Sequence, residues 1–309
     1  MGAANKLGKY LRIIYDRDER FKFLRRHYML NSMPDDEFLR RCFRAFMHRE
    51  LNLENPETFS EKIQWLKLYD RRPEYTAMAD KVAAKNHIEK LIGGEYVIPV
   101  LGVWDSFDEI DFEQLPKQFV LKCSHDCGSI VICTDKYKFD RGAAREKINR
   151  ALRQNYYYLS REWVYKDIKP RIIAEAYIDG GEHGLVDYKV HCFDGQPKVI
   201  LLCRDRFPDG GTQDFYTEKW EHLDVRKLGH PNAAEEIAPP VQLQEMLELA
   251  RRLSLGTSYL RVDFYIAKAK LYLGEMTFYH AGGYARFDPD CFDCQLGDML
   301  TLPKEKITG

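Results

Sequence analysis

The chain has 309 residues, 45% of them hydrophobic, and a formal net charge of −1. That length suits one large or two to three small structural units, and the apolar content suits a packed core rather than a disordered chain. The near-neutral balance gives no global attraction for nucleic acid. No apolar run reaches the ~20 residues of a membrane span, and the first residues lack the apolar block of a signal peptide, which points to the cytoplasm.

The first 75 residues read as helical. Residues 1–50 carry 12 Lys/Arg against 7 Asp/Glu, so this stretch is locally basic. Phe38, Cys42, Phe46 and Met47 recur at helical spacing, with Arg40, Arg41 and Arg44 off that stripe. Those arginines are either a solvated helix face or a dock for an anionic substrate or a membrane-bound precursor. Thr58 followed by Glu61 has the spacing of a capping box, in which each side chain satisfies a backbone N–H at the helix start. Phe59, Ile63, Leu66 and Tyr69 then share a face. Arg72-Pro73 ends this helix, and another is expected over residues 77–91.

Strands and turns follow. Residues 97–101 are apolar, and residues 119–123 form a short strand that ends in Lys122 and Cys123. Ser124 to Ser129 is turn chemistry, and residues 130–133 make a second strand. Such a loop can aim backbone N–H groups at a phosphate while the lysine adds a point charge; an ordinary hairpin with an exposed lysine has the same pattern. A helix is expected over residues 140–155, then an aromatic cluster of Tyr156, Tyr157, Tyr158 and Trp163 that packing explains. Residues 171–178 read as a strand. Residues 187–193 and 197–203 flank Asp194-Gly195, a hairpin signal. Residues 243–253 read as an amphipathic helix.

The last hairpin carries the sharpest chemistry. Residues 261–265 and 271–277 alternate apolar and polar positions around a short connection. Pairing them places Asp263 and Glu275 on neighbouring strands. Two carboxylates beside a phosphate site suit Mg²⁺, which takes its other ligands from water and substrate phosphates. A surface hairpin with two solvated acids is the equal alternative.

Eight cysteines are scattered along the chain. Cys291 and Cys294 have zinc-like spacing, with Cys123 and Cys127 the nearest to a second pair, but the pairs are not spaced as a zinc motif. Cys133, Cys192 and Cys203 lie in strand-like runs, where a thiol acts as a small buried hydrophobe. Cys42 falls on a helical stripe.

The order of these features is diagnostic: lysine strand, polar loop, strand, helix, Glu-bearing strand, hairpin, helix, then the Asp263…Glu275 hairpin. It resembles the ATP-grasp superfamily, and within it the TupA-like ATP-grasp family of bacterial cell-surface polymer biosynthesis. The stretches that carry the resemblance include residues 55–68, Ala79-Asp80-Lys81, residues 101–107, 119–123, 155–163 and 168–175, Asp187-Tyr188-Lys189 and residues 261–278. Together they span residues 55 to 303.

The resemblance implies an α+β fold in which two subdomains with antiparallel sheets sandwich ATP behind a helical N-terminal region. It divides the chain into a helical region 1–75, a pre-grasp segment 76–115, a small lid subdomain 116–180 and a catalytic subdomain 181–309. It implies ATP and Mg²⁺ as cofactors. Lys81 and Lys122 match the nucleotide-contacting lysines, and the loop with Ser124, Gly128 and Ser129 the phosphate cover. Glu175, Ala176, Tyr177 and Ile178 match the adenine-edge segment, and Glu182 the ribose-binding acid. Asp263, Glu275 and Thr277 match the metal ligands. Lys189, Arg204, Arg206 and Arg261 are the cations expected to bind phosphate or carboxylate, where charge builds during acyl phosphate chemistry.

Three departures stand out. Asp126 and Cys127 occupy a loop usually richer in glycine. Thr277 stands where the superfamily has asparagine. Tyr279-His280-Ala281-Gly282-Gly283 replaces a common Pro-Gly. The implied reaction is ATP-dependent amide ligation, with a uronic acid of a capsule or surface-glycan precursor activated for attack by an amino acid or small amine. The partners implied are that carboxylate and that amine, with a membrane-linked precursor as a further contact and no nucleic acid. The alternative is a glycan-modifying transferase, either a glycosyltransferase or a sugar kinase, although no Asp-x-Asp triplet suits a nucleotide-sugar metal site. A nucleotide-binding scaffold without turnover is a third reading.

Overall fold

The computed structural model describes residues 13–181, 184–204 and 211–308. Glu182 and Arg206, both expected in the site, lie outside the described residues.

Two antiparallel sheets organise the chain. The smaller has the order β1-β4-β2-β3, from β1 (Val100–Trp104), β2 (Phe119–Cys123), β3 (Val131–Cys133) and β4 (Ile172–Ala176). The larger has the order β11-β10-β5-β6-β7-β8. It contains β5 (Asp187–Phe193), β6 (Gln196–Arg204), β7 (Thr212–Thr217), β8 (His222–Leu223), β10 (Tyr259–Ala267) and β11 (Lys270–Thr277). A two-stranded pair joins β9 (Arg226–Lys227) to β12 (Phe287–Asp288). The small sheet starts earlier than the expected boundary at residue 116, because β1 pairs with β4 from Val100 to Trp104. Phe107, Ile110 and Phe112 also belong to its core.

The N-terminal helices are α1 (Arg17–Arg26), α2 (Asp35–Met47) and α3 (Phe59–Tyr69). The capping box forms as expected: Glu61 N–H donates to Thr58 Oγ1 at 3.3 Å, and Thr58 N–H donates to Glu61 Oε2 at 3.1 Å. Phe59 then packs edge-on against Tyr259 of β10 at 5.0 Å. Its ring is 1% exposed, and burying such a side chain contributes about 2 kcal/mol. The helices therefore share one core with the large sheet. Arg40, Arg41 and Arg44 find partners within the N-terminal region. Arg40 donates to Leu51 O, Arg41 pairs with Glu37, and Arg44 reaches Asp18.

One expected helix is two. α4 (Pro73–Ala79) and α5 (Ala83–Ile92) are separated at Asp80-Lys81. Asp80 is extended, with φ −69 and ψ 112, and its Oδ1 accepts from Val82 N–H at 2.9 Å. A short acidic side chain that bonds the backbone ahead of it competes with helix continuation. Arg171 holds the other Asp80 oxygen at 2.7 Å. The break turns Lys81 out of both helices and toward the sheets.

α6 (Arg141–Leu152) covers the small sheet, and α7 (Tyr157–Ser160) leads back to it. α8 (Leu243–Ser254) packs on β10, β5 and β6, and α9 (Phe292–Met299) on α3. Among the described residues no helix is long and apolar enough to cross a membrane. Cys42, Cys123, Cys133, Cys192 and Cys203 are buried, while Cys127, Cys291 and Cys294 are exposed.

Candidate functional site

Strand alternation sorts the large sheet. On β10, Tyr259, Arg261 and Asp263 share one face, because successive side chains point to opposite sides. Register lines up their neighbours. Arg261 lies between His191 of β5 and Thr277 of β11, and Asp263 lies between Lys189 and Glu275. An extra residue on β11, Gly274, marks a bulge beside this row. A side chain there would strike Tyr265, since its Cβ would come within 2.4 Å of Tyr265 Cε2.

Asp263 is saturated with cations. Arg261 grips it with two bonds, Nε to Oδ1 at 2.6 Å and Nη2 to Oδ2 at 2.7 Å. Lys189 adds a third to Oδ2 at 2.5 Å and also pairs with Asp187 at 2.6 Å. Burial pushes the Asp263 carboxyl up, but Arg261 and Lys189 outweigh it and hold the group below its ordinary range. Arg261 also donates to Thr277 Oγ1 at 3.0 Å and to His280 Nδ1 at 2.8 Å.

Glu275 is different. Among the described residues its cation partner is Lys81 at 3.9 Å, and its side chain is 28% exposed, so it presents open oxygens to the space between the sheets. Lys81 donates to the carbonyl of Asp126, which ties the turn after β2 to the large sheet's edge. Burial lowers the Lys81 ammonium, but Glu275 and Asp126 raise it above its ordinary value; it stays charged.

The small sheet supplies a second centre. Lys122 of β2 meets Glu175 of β4 at 2.6 Å, and Lys85 of α5 takes its other oxygen at 2.6 Å. Burial raises the Glu175 carboxyl, yet the two ammoniums prevail and bring it down to about 2. For Lys85, burial wins over Glu175 and lowers the ammonium. Lys85 was not expected from the sequence; its signal is its place in the first turn of α5, four residues after Lys81.

The loop resolves one difficulty. Asp126 Oδ1 accepts from Ser129 Oγ at 2.6 Å, and Ser129 Oγ accepts from Cys123 N–H at 2.8 Å. The Asp126 carboxylate is therefore turned onto its own loop rather than into a phosphate path. Although Cys127 reaches the surface, partial desolvation by the groups packed around it, then Glu275, pushes its thiol up to about 11, so it adds no negative charge. Gly128 has φ +118, with open space around its missing side chain. Ser124 is structural: its hydroxyl donates to Lys169 O at 3.1 Å and accepts from Arg171 N–H at 3.2 Å. Ala176 N–H donates to Pro99 O at 2.9 Å, and Tyr177 and Ile178 continue the chain from β4.

Arg204 does not join this set. Tyr188 pairs with Leu202 and Lys189 with Leu201, so Arg204, two positions past Leu202, shares the face of Tyr188 and Tyr216. That is the face opposite Lys189 and Asp263.

The donors present fit a magnesium nucleotide in a specific way. Glu275 is open, and among the described residues Asp263 Oδ1 accepts one bond, from Arg261 Nε, which leaves it a lone pair. Thr277 is committed to Arg261. One or two carboxylates with phosphate oxygens and water is the coordination Mg²⁺ favours. Lys81, Lys85 and Lys122 bring three side-chain amines to this region, the last two paired with Glu175. Among the described residues no three His, Cys, Asp or Glu side chains form a metal cage. The cavity between Lys81, Lys85, Glu175 and Glu275 has room for about one water.

A family model described as TupA-like ATPgrasp matches residues 61–301. The chain belongs to the TupA-like ATP-grasp family. The two antiparallel sheets facing one cleft are the ATP-grasp architecture, with the helices before residue 70 as an added N-terminal region. No curated protein matches the chain. Among solved structures, a D-alanine–D-alanine ligase from Bacillus anthracis complexed with ATP is similar at 19% identity and a TM-score of 0.38, over 65% of this chain and 54% of that one. A D-cycloserine synthetase is similar at 16% identity and a TM-score of 0.42, over 89% of this chain and 82% of that one. An ATP-grasp ligase complexed with its minimal precursor, Mg and ADP gives 13% and 0.37, over 81% and 64%. The chain spans 54% and 57% of the length of the two Bacillus anthracis D-alanine–D-alanine ligase chains it matches.

Proposed function

We propose that this TupA-like ATP-grasp chain is an ADP-forming carboxylate–amine ligase acting on a uronic acid of a bacterial surface-glycan precursor, in the cytoplasm where ATP is at hand. The observation that carries the reading is the convergence of Lys81, Lys122, Glu275 and Arg261 on one cleft between the two sheets. Mg²⁺ bound by Glu275, with Asp263 beside it, would offset charge on the phosphates. Lys81 and Lys122 would neutralise the triphosphate, with Glu175 exchanging its lysine contacts for the nucleotide. The substrate carboxylate oxygen attacks the γ-phosphorus and ADP leaves. The amine nitrogen then attacks the carbonyl carbon, a proton is lost from nitrogen, and phosphate departs. Arg261 would face the carbonyl oxygen as charge develops there, a role for fixed donors in a poorly solvated site.

The glycosyltransferase alternative gains no support from the two Asp-x-Asp triplets. Asp16 caps α1 and Asp18 pairs with Arg44, while Asp288 pairs with Arg226.

The test is ADP release across uronic-acid conjugates and a panel of amines, with products weighed by mass spectrometry. A product of acid plus amine minus water supports the ligase. ADP formed without any amine, together with a phosphosugar, contradicts it and favours a sugar kinase.

A further inference from the structure

Arg261 has five N–H donors in one plane. Among the described residues, four of them are spoken for: Nε and Nη2 by Asp263, Nη2 again by Thr277, and Nη1 by His280. One N–H remains, on Nη1. The Asp263 contacts fix one edge of the guanidinium plane, and His280 at 2.8 Å fixes the other end. His280 therefore sets the direction of the donor that is left for a ligand.

The imidazole is built for that task. An arginine can only donate, so His280 Nδ1 must accept, and the ring proton must sit on Nε2. Burial, with His191 and Arg261 nearby, pushes His280 well below its ordinary value and keeps it neutral. Among the described residues His280 Nε2 is buried with no partner, and Arg261 is the side chain bonded to the ring. The ring is located from behind by His191, edge-on at 4.8 Å, whose Nδ1 is bonded to Tyr259 OH at 2.9 Å. The backbone supports the placement: Ala281, Gly282 and Gly283 have φ of 49, 62 and 71, three successive left-handed residues that turn the chain under β10. This is the segment that replaces the usual Pro-Gly.

We propose that His280 is a positioning residue that aims the free Nη1–H of Arg261 into the cleft, toward an oxyanion of the substrate. The proposal rests on the ligase reading for the identity of that oxyanion, and on geometry alone for the positioning.

Crystal structures and kinetics of His280→Asn and His280→Ala test it. Asn offers an acceptor oxygen near the place of Nδ1, and Ala offers none. In His280→Ala the Arg261 guanidinium is expected to leave its wild-type position, with kcat for ADP release down about 10- to 100-fold and KM for ATP little changed, the size of one lost charge-assisted bond. In His280→Asn the guanidinium and most of kcat should return, which a merely structural ring would not allow. Arg261 unmoved in His280→Ala, or His280→Asn as displaced as His280→Ala, overturns the proposal. A wild-type enzyme that releases no ADP with any acid and amine sinks the ligase reading alone; the guanidinium positions still decide the role of His280.

Discussion

Asp263 and Glu275 face each other across β10 and β11, yet cations neutralise only the first: Lys189 stands 2.5 Å from Asp263, and among the described residues the cation partner of Glu275 is 3.9 Å away. The pair is asymmetric. Asp263 anchors Arg261 and Lys189, and Glu275 is the more open carboxylate of the two.

That asymmetry separates two substitutions. Glu275→Gln is expected to keep the thermal midpoint near wild type while Mg²⁺-dependent ADP release is lost. Asp263→Asn leaves Arg261 without its buried counter-charge and Lys189 with Asp187 in place of two acids, and removing one partner of a buried pair costs about 3 kcal/mol. Urea melts of the two variants check this; equal stability losses would contradict the division of roles.

Glu175 confers a pH dependence. Its folded value, about 2, lies below the 4.5 of an ordinary glutamate. A depressed carboxyl stabilises the fold above its unfolded value, and that contribution is lost as pH falls from 4.5 toward 2. At 1.36 kcal/mol per unit it is worth about 3 kcal/mol. Urea midpoints from pH 5 to pH 2 should fall steeply in the wild type. In Glu175→Gln they should start lower and lose that part of the slope; an unchanged slope argues against the Lys122–Glu175–Lys85 centre.

Lys67 links the N-terminal helices to the segment beneath the site. Its ammonium is fully buried, donates to Ser160 O at 3.0 Å and Gly282 O at 2.8 Å, and lies 4.9 Å from the Tyr284 ring. Burial lowers it to about 8 despite Glu162, whose own carboxyl burial raises to about 7. Lys67→Met strands the Ser160 carbonyl and the Glu162 charge and leaves Gly282 O to Gln64, an expected loss of about 3 kcal/mol at pH 8. Double mutation to Lys67→Met with Glu162→Gln should recover part of it. Additive losses would show that the two groups do not interact.

Gly283 is held by space as well as by φ +71. A Cβ there would come within 2.2 Å of Gln64 Nε2 and 2.8 Å of Ile63 Cγ2. Gly283→Ala is expected to push α3 from this turn, lowering stability by about 2 kcal/mol and disturbing His280 with it. A wild-type melt for this variant would show that α3 yields freely.

Much of this arrangement is legible in the residues because it follows period-two alternation and local capping. The Asp263–Glu275 register and the Thr58–Glu61 box are of that kind. The break at Asp80 was hidden, because residues 77–91 keep a helical apolar period while Asp80 bonds forward to the Val82 N–H. Arg204 shows how little separates the two faces of a strand: parity alone carries it away from Lys189. Lys85 and His280 were missed because their roles depend on partners about 90 and 20 positions distant, Glu175 and Arg261. Asp126, troubling as a charge beside phosphates, is explained only by where its side chain turns.

The central claim is that magnesium nucleotide binds between Lys122 and Glu275. Calorimetric titration of a non-hydrolysable ATP analogue with Mg²⁺ into wild type, Lys122→Met and Glu275→Gln tests it most directly. One site in the wild type, weakened at least about 10-fold in each variant while both stay folded, is the result expected from losing one charge-assisted contact. No binding by the wild type, or equal binding by all three, would contradict it.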